Sequence, residues 1–123
     1  MNDAWKRDRK QDACYEILKR LPPVTKASLR VCRLTKENSD PNTLALAQQS
    51  FLDAFGDFLN AQTTVEIVGS EQLRRAAALV GDIMKTMNIQ AVAGQEELVR
   101  ISIELIVSTT EDLKNACRVE LGF

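Results

Sequence analysis

Residues 41–65 read "PNTLALAQQSFLDAFGDFLNAQTTV", and this stretch decides the fold class. Its apolar side chains recur at steps of three and four residues, the spacing of one face of an α-helix. Asp40 can accept a hydrogen bond from the first turn, and Pro41 suits the first helical position. The apolar positions are Leu44, Ala47, Phe51, Ala54, Phe58, Ala61 and Val65, with Leu52, Phe55 and Leu59 beside them. We therefore predict a long central helix.

The residues before this stretch predict two more helices. An apolar stripe indicates a first helix over about 3–21, ended by Pro22 and Pro23, because proline disfavours helical geometry in the residue before it. Residues 24–36 repeat the helical spacing more weakly, since Val, Thr and Cys are poor helix formers. Leu29 lies off the apolar stripe of this second segment.

The residues after the central stretch predict a helix that begins at Ser70 and ends near Asn88. The last segment, 95–121, carries both a polar and an apolar stripe at helical spacing over about six turns, which favours one long helix. Within it, "VRISIELIV" alternates like a strand, so a strand near 98–107 is the alternative. The sequence thus predicts an all-α fold, a four- or five-helix antiparallel bundle with a long C-terminal helix, with α+β as the alternative. The expected core is Phe51, Phe55, Phe58, Val80, Ile83, Ile103 and Ile106.

Charge is distributed unevenly along the chain. Residues 1–36 contain ten Lys or Arg and four Asp or Glu, whereas residues 37–123 contain six and thirteen. The length of 123 residues fits one domain. We therefore predict a single helical domain, 1–123, in which a basic N-terminal helix of about 3–21 projects from a more acidic bundle.

Composition and cysteine content also indicate the cellular compartment of the protein. No run of apolar residues is long enough to span a membrane, and the charged N-terminus is unlike a secretory signal, so we expect a cytoplasmic protein without membrane contact. Cys14, Cys32 and Cys117 are an odd number without C-x-x-C spacing. We interpret them as reduced core thiols, with a disulfide between two of them as the alternative.

The absence of histidine from the sequence removes the commonest general base and the usual imidazole metal ligand. The adjacent acid pairs, Glu96 with Glu97 and Glu111 with Asp112, fall near helix starts or on polar faces, where acids favour the helix dipole. The five glycines form no phosphate-binding loop. We therefore expect no enzyme, no catalytic residue, no cofactor and no metal site.

The stretch "WKRDRK", residues 5–10, combines an aromatic ring with four cations. Such a cluster can bind an acidic protein surface or nucleic acid. The predicted partner-binding residues are Trp5, Lys6, Arg7, Arg9, Lys10, Lys26, Arg30 and Arg33. The favoured hypothesis is a non-enzymatic adaptor or regulatory module that binds an acidic protein partner or itself, as a homo-oligomer. The alternative is a small nucleic-acid-binding regulatory protein that uses the basic N-terminal third.

Overall fold

A computed structural model describes residues 3–122, and in this range the chain is helical without any strand. Residues 1, 2 and 123 of the predicted domain lie outside the described range. The helices are α1 (Asp3–Lys19), α2 (Leu21–Lys36), α3 (Pro41–Val68), α4 (Glu71–Val92) and α5 (Glu96–Leu121). The predicted helical bundle with a long C-terminal helix is confirmed, and the alternative strand near 98–107 is helical instead. None of the described helices combines the length and apolarity needed to cross a bilayer.

Helices α1 and α2 form one kinked rod, because only Arg20 separates them and its backbone is itself α-helical, at φ −84° and ψ −7°. The predicted end of the first helix before Pro22 and Pro23 is confirmed to within two residues, at Lys19, but the second helix begins at Leu21 rather than at residue 24. The two prolines lie in the first turn of α2, where a missing N–H costs little because the first amides of a helix have no partner in their own helix. Over residues 3–122 the bundle therefore has four long helices in five pieces.

The helix starts follow the predicted capping residues. Asp40 accepts hydrogen bonds from the backbone N–H of Thr43 at 3.0 Å and from its hydroxyl at 2.6 Å. These bonds, led by the hydroxyl, lower the pKa of the Asp40 carboxyl. Ser70 likewise accepts from the N–H of Leu73 at 3.3 Å. The predicted end of α4 near Asn88 was wrong, since the helix continues to Val92.

The four long helices, which are the α1–α2 rod, α3, α4 and α5, run antiparallel to their neighbours in sequence, because short connections join them. The end of α4 lies beside the start of α5, where Ser102 donates to Gln90 Oε1 at 2.7 Å. The end of α2 also meets the start of α5, through an ion pair between Lys36 and Glu96. Helix α5 thus runs antiparallel to both α4 and the α1–α2 rod.

The core follows the stripes that the sequence predicts, and all five helices contribute to it. Phe51, Phe58, Val80 and Ile106 are buried. Phe55, Ile83 and Ile103 were also predicted for the core but are only partly buried against it. The predicted apolar surface is therefore slightly larger than the interior of the bundle can enclose.

The cysteine prediction was wrong for two of the three thiols. Cys14 of α1 and Cys117 of α5 form a disulfide, with their Cα atoms 5.9 Å apart. Both residues lie on apolar stripes, and antiparallel packing of α1 on α5 brings these stripes together. Cys32 is free and buried, as expected. The bond therefore links α1 covalently to the C-terminal part of α5.

Candidate partner-binding groove

The outward face of α2 carries a row of cations. Lys26, Arg30 and Arg33 are spaced by four and three residues, so they lie on one side of the helix, and all three are exposed. The opposite side of α2 is buried in the core. Within residues 3–122 none of the three forms an ion pair, so their charges face solvent.

A cleft of about 670 Å³ lies beside this row, between α2 and the first turns of α5. Its surface includes the apolar side chains of Leu29 and Val99, whereas charged side chains form its edges. The lining residues are Lys26, Leu29, Arg30, Cys32, Arg33, Lys36, Glu37, Glu96 and Val99. The cleft is open because α2 packs mainly on α3, and α5 mainly on α4.

A second cleft, of about 540 Å³, continues the first toward α1 and shares Lys26 and Leu29 with it. Val107 of α5 faces this part and is 62% exposed, and Leu29 is 44% exposed. The second lining comprises Leu18, Leu21, Pro22, Thr25, Lys26, Leu29, Ile106, Val107, Thr110, Glu111 and Lys114. We call the two clefts together the α2–α5 groove.

An ion-pair cluster closes one end of the groove. Glu96 accepts from Lys36 and, at 3.1 Å, from Arg100. The hydrogen bond from Lys36 and its charge, with that of Arg100, lower the pKa of Glu96, and the same hydrogen bond to Glu96 raises the pKa of Lys36. Glu96 is therefore ionised, and the charges of Lys36 and Arg100 balance its negative charge. It leaves the basic character of the groove largely intact.

The predicted binding residues of α1 lie at the far end of the molecule, beside the C-terminal end of α5. Arg9 stacks over the ring of Trp5, with its Cζ 5.2 Å from the ring centroid. Arg7 donates to the backbone carbonyl of Leu121 at 3.3 Å, and Lys6 lines a small cleft there. These first turns are exposed but contact the end of α5.

Lys10 makes the firmest contact of this cluster, an ion pair with Glu120 at 2.9 Å. The side chain of Glu120 is only 5% exposed and also accepts from the backbone N–H of Ser70 at 3.1 Å. Burial raises the pKa of the Glu120 carboxyl, but the hydrogen bonds from Ser70 and Lys10 outweigh it, so the pKa is lowered overall. Glu120 thereby joins α1, the start of α4 and the end of α5.

The two predicted clusters do not form one patch. The twenty residues between Lys6 and Lys26 correspond to about 30 Å along a helix. Lys26, Arg30 and Arg33 lie together on the groove, whereas the cations of residues 5–10 lie near the end of α5. The structure therefore separates residues that were predicted as one set of partner-binding residues.

Leu29 and Val107 are groove residues that the sequence analysis missed. Leu29 was noted only as lying off the apolar stripe of its helix, and Val107 belongs to the alternating "VRISIELIV" segment. Both are aliphatic residues outside the buried face of an otherwise well-patterned helix. This mismatch between apolar character and helical phase was the signal that could have indicated an exposed apolar surface.

Cys32, the free thiol, lines the groove but is only 2% exposed. Burial, followed by the negative charge of Glu96, raises its pKa, which keeps the thiol protonated and poorly nucleophilic. Among residues 3–122, no group of three Cys, Asp or Glu side chains is arranged to hold a metal ion. The groove combines cationic edges with an apolar floor.

No family model matches this chain, and no curated protein or solved structure matches it either.

Proposed function

We propose that this protein is a non-enzymatic interaction module, of adaptor or regulatory type, that binds an acidic surface of a protein partner. The observation that carries the proposal is the row of Lys26, Arg30 and Arg33, which have no ion-pair partner among residues 3–122 and border an apolar cleft. Cations in this position attract an acidic partner, and the apolar surface stabilises the complex after contact.

A protein partner is favoured over nucleic acid by the composition of the groove. Phosphate binding needs cations but no apolar surface, whereas Leu29 and Val107 are exposed here. Nucleic-acid binding by the basic N-terminal third therefore remains the alternative.

The test compares binding of a glutamate-rich peptide and a DNA duplex, each followed by fluorescence anisotropy over a salt series. We expect the triple variant Lys26→Ala, Arg30→Ala, Arg33→Ala to bind the peptide about tenfold more weakly at low salt, because each exposed pair contributes about 0–1 kcal/mol. Added salt should reduce the difference.

The matched control removes three exposed cations of α4 instead, through Arg74→Ala, Arg75→Ala and Lys85→Ala. It changes the net charge equally but leaves the groove intact. An equal loss of peptide binding in both triple variants would contradict the proposal. Tighter binding of DNA than of peptide, with a log-log salt slope of about 0.9 per phosphate contact, would support the alternative instead.

Self-association is a second candidate, and the outer surface of α5 supports it. Leu98, Ile101 and Leu105 are each 42–50% exposed and follow one another at steps of three and four residues. Ile89 of α4 is 71% exposed and precedes Gln90, which accepts a hydrogen bond from Ser102 of α5. Aliphatic residues at the centre of an interface are typical of homodimers.

Sedimentation velocity over a concentration series tests this candidate. Ile101→Glu should yield a monomer without unfolding the bundle, because the side chain is already half exposed. Arg7→Ala should leave the mass unchanged. A wild-type protein that stays monomeric at about 100 μM would exclude a dimer of micromolar affinity.

The cytoplasmic location stays a prediction, and the cysteines offer a measurement of it. In reducing compartments cysteines remain as free thiols, whereas the Cys14–Cys117 disulfide needs oxidising conditions to persist. Rapid alkylation under denaturing conditions of protein taken from cells, followed by mass spectrometry, counts the free thiols, including those that are buried in the folded protein. Three modified cysteines would support a cytoplasmic protein, and modification of Cys32 alone would contradict it.

A further inference from the structure

We infer that the α2–α5 groove receives one amphipathic helix of a partner protein, with aliphatic side chains on its inner face and acidic side chains along the edge next to α2. The inference rests on the proposed function, because it names the kind of partner that the same site binds. Shape, charge and backbone chemistry support it separately.

The shape of the groove suits about four turns of helix. Its wall on the α2 side extends from Leu21 to Lys36, which corresponds to about 22 Å, or about 15 residues of a partner helix. The two clefts share lining residues, so they form one trough. Grooves between two helices commonly receive an amphipathic helix whose inner residues are spaced by three and four.

Apolar side chains line the trough along its length. Val99 lies in the first cleft, Leu29 is shared by both, and Leu18, Ile106 and Val107 line the second. Burial of the exposed parts of Leu29 and Val107 under a partner removes apolar surface from water, which favours binding. Acidic side chains alone would leave this surface uncovered.

Charge complementarity selects an acidic partner helix. Five cations and three carboxylates line the trough. Two of the carboxylates already have cationic partners, since Glu96 pairs with Lys36, and Glu111 pairs with Lys114 at 3.4 Å. Lys26, Arg30 and Arg33, which form no ion pair among residues 3–122, all lie on the α2 side, so acidic residues are expected on that edge of the partner helix.

Backbone chemistry favours a helix over an extended peptide. Residues 3–122 contain no strand, so this part of the chain offers no sheet edge to pair with an incoming backbone. A segment that lies in an apolar trough must satisfy its own N–H and C=O groups, and a helix does so internally.

The test uses two synthetic peptides of about 18 residues with the same Leu and Glu content. In the first, leucines at steps of three and four share one helical face, and in the second they are scrambled over all faces. Isothermal titration should show the amphipathic peptide binding at least about tenfold more tightly than the scrambled one, because only its leucines can reach the trough together.

Variants locate the binding. Leu29→Asn should abolish most of the preference for the amphipathic peptide, and Leu29→Met should restore it. The matched control Leu52→Asn changes a leucine of similar exposure on α3 and should leave the preference unchanged. Circular dichroism melts establish that each variant is folded, which is expected because both leucines are about half exposed.

Each remaining outcome contradicts a specific statement. Equal binding of both peptides, weakened by the Lys26, Arg30 and Arg33 triple variant, would overturn the inference and leave the proposed function intact. No binding of either peptide would overturn both. A dimer that Leu29→Asn dissociates, and that the amphipathic peptide does not compete with, would make a second copy of this chain the occupant and also overturn the inference.

Discussion

The first turns of α1 and the outward face of α2 both carry clustered cations, but these cations have different surroundings. At the α1 end, Lys10 pairs with the nearly buried Glu120, and Arg7 contacts the backbone of Leu121. On α2, Arg30 and its neighbours border an open, apolar groove. A basic cluster is therefore a poor guide to a binding surface until its intramolecular partners are known. The α1 cluster is partly engaged in contacts within the fold, whereas the cations of the α2 row form no ion pair among residues 3–122.

The largest expected effect concerns the disulfide that fastens the α1 end. The double variant Cys14→Ala, Cys117→Ala should lower the free energy of unfolding by about 3–5 kcal/mol, because the bond closes a loop of 103 residues in the unfolded chain. Urea denaturation with and without reductant measures the loss. Cys32→Ala is the control, with an expected cost of about 1 kcal/mol. A wild-type midpoint that reductant does not change would contradict the disulfide.

The second prediction concerns the carboxylate that joins three helices at the α1 end. Glu120→Gln should destabilise the protein by about 1–3 kcal/mol, because a buried carboxylate loses its charge-assisted hydrogen bonds. Glu111→Gln is the control, since Glu111 forms an exposed pair with Lys114 that contributes about 0–1 kcal/mol. Urea denaturation measures the loss of stability in both variants. Equal losses would mean that the Glu120 carboxylate contributes no more to stability than the exposed Glu111 carboxylate of the groove.

The third prediction concerns how the stability difference between wild type and Glu120→Gln depends on pH. The folded state lowers the pKa of Glu120 below its ordinary value of about 4.5. A depressed carboxyl pKa contributes stability that is fully present above the unfolded pKa and is lost as the pH falls through the folded pKa. The stability gap between wild type and Glu120→Gln should therefore be constant near neutral pH and shrink below about pH 4.5. A gap that widens on acidification would show that the pKa is raised.

The smallest effects compare the two clusters of cations directly. Lys10→Ala should cost about 1 kcal/mol, because Glu120 loses a partner in a nearly buried position. The triple variant Lys26→Ala, Arg30→Ala, Arg33→Ala should change stability by less than about 0.5 kcal/mol. Thermal melts at low salt measure both. A triple variant that melts well below Lys10→Ala would mean that the α2 row stabilises the fold.

Much of the fold could be predicted because the deciding signals are local. Apolar periodicity predicted α3, and a polar stripe sustained over about six turns correctly favoured a helix over a strand at 98–107. Asp40 and Ser70 cap the helices that they were expected to cap. Pro22 and Pro23 correctly marked the end of α1, but proline also suits the first turn of a helix, and their place inside α2 was missed.

The candidate site was predictable only in part, for a different reason. The sequence alone determined that Lys26, Arg30 and Arg33 share one helical face, since helical spacing fixes which residues are neighbours on their own helix. Only the tertiary structure decided that these cations border a groove, that Lys10 meets Glu120, and that Cys14 pairs with Cys117. Such contacts depend on which helices pack together and in which register. Residues more than a hundred positions apart carry no local signal of that pairing, because it follows from burial of the apolar faces of all the helices at once.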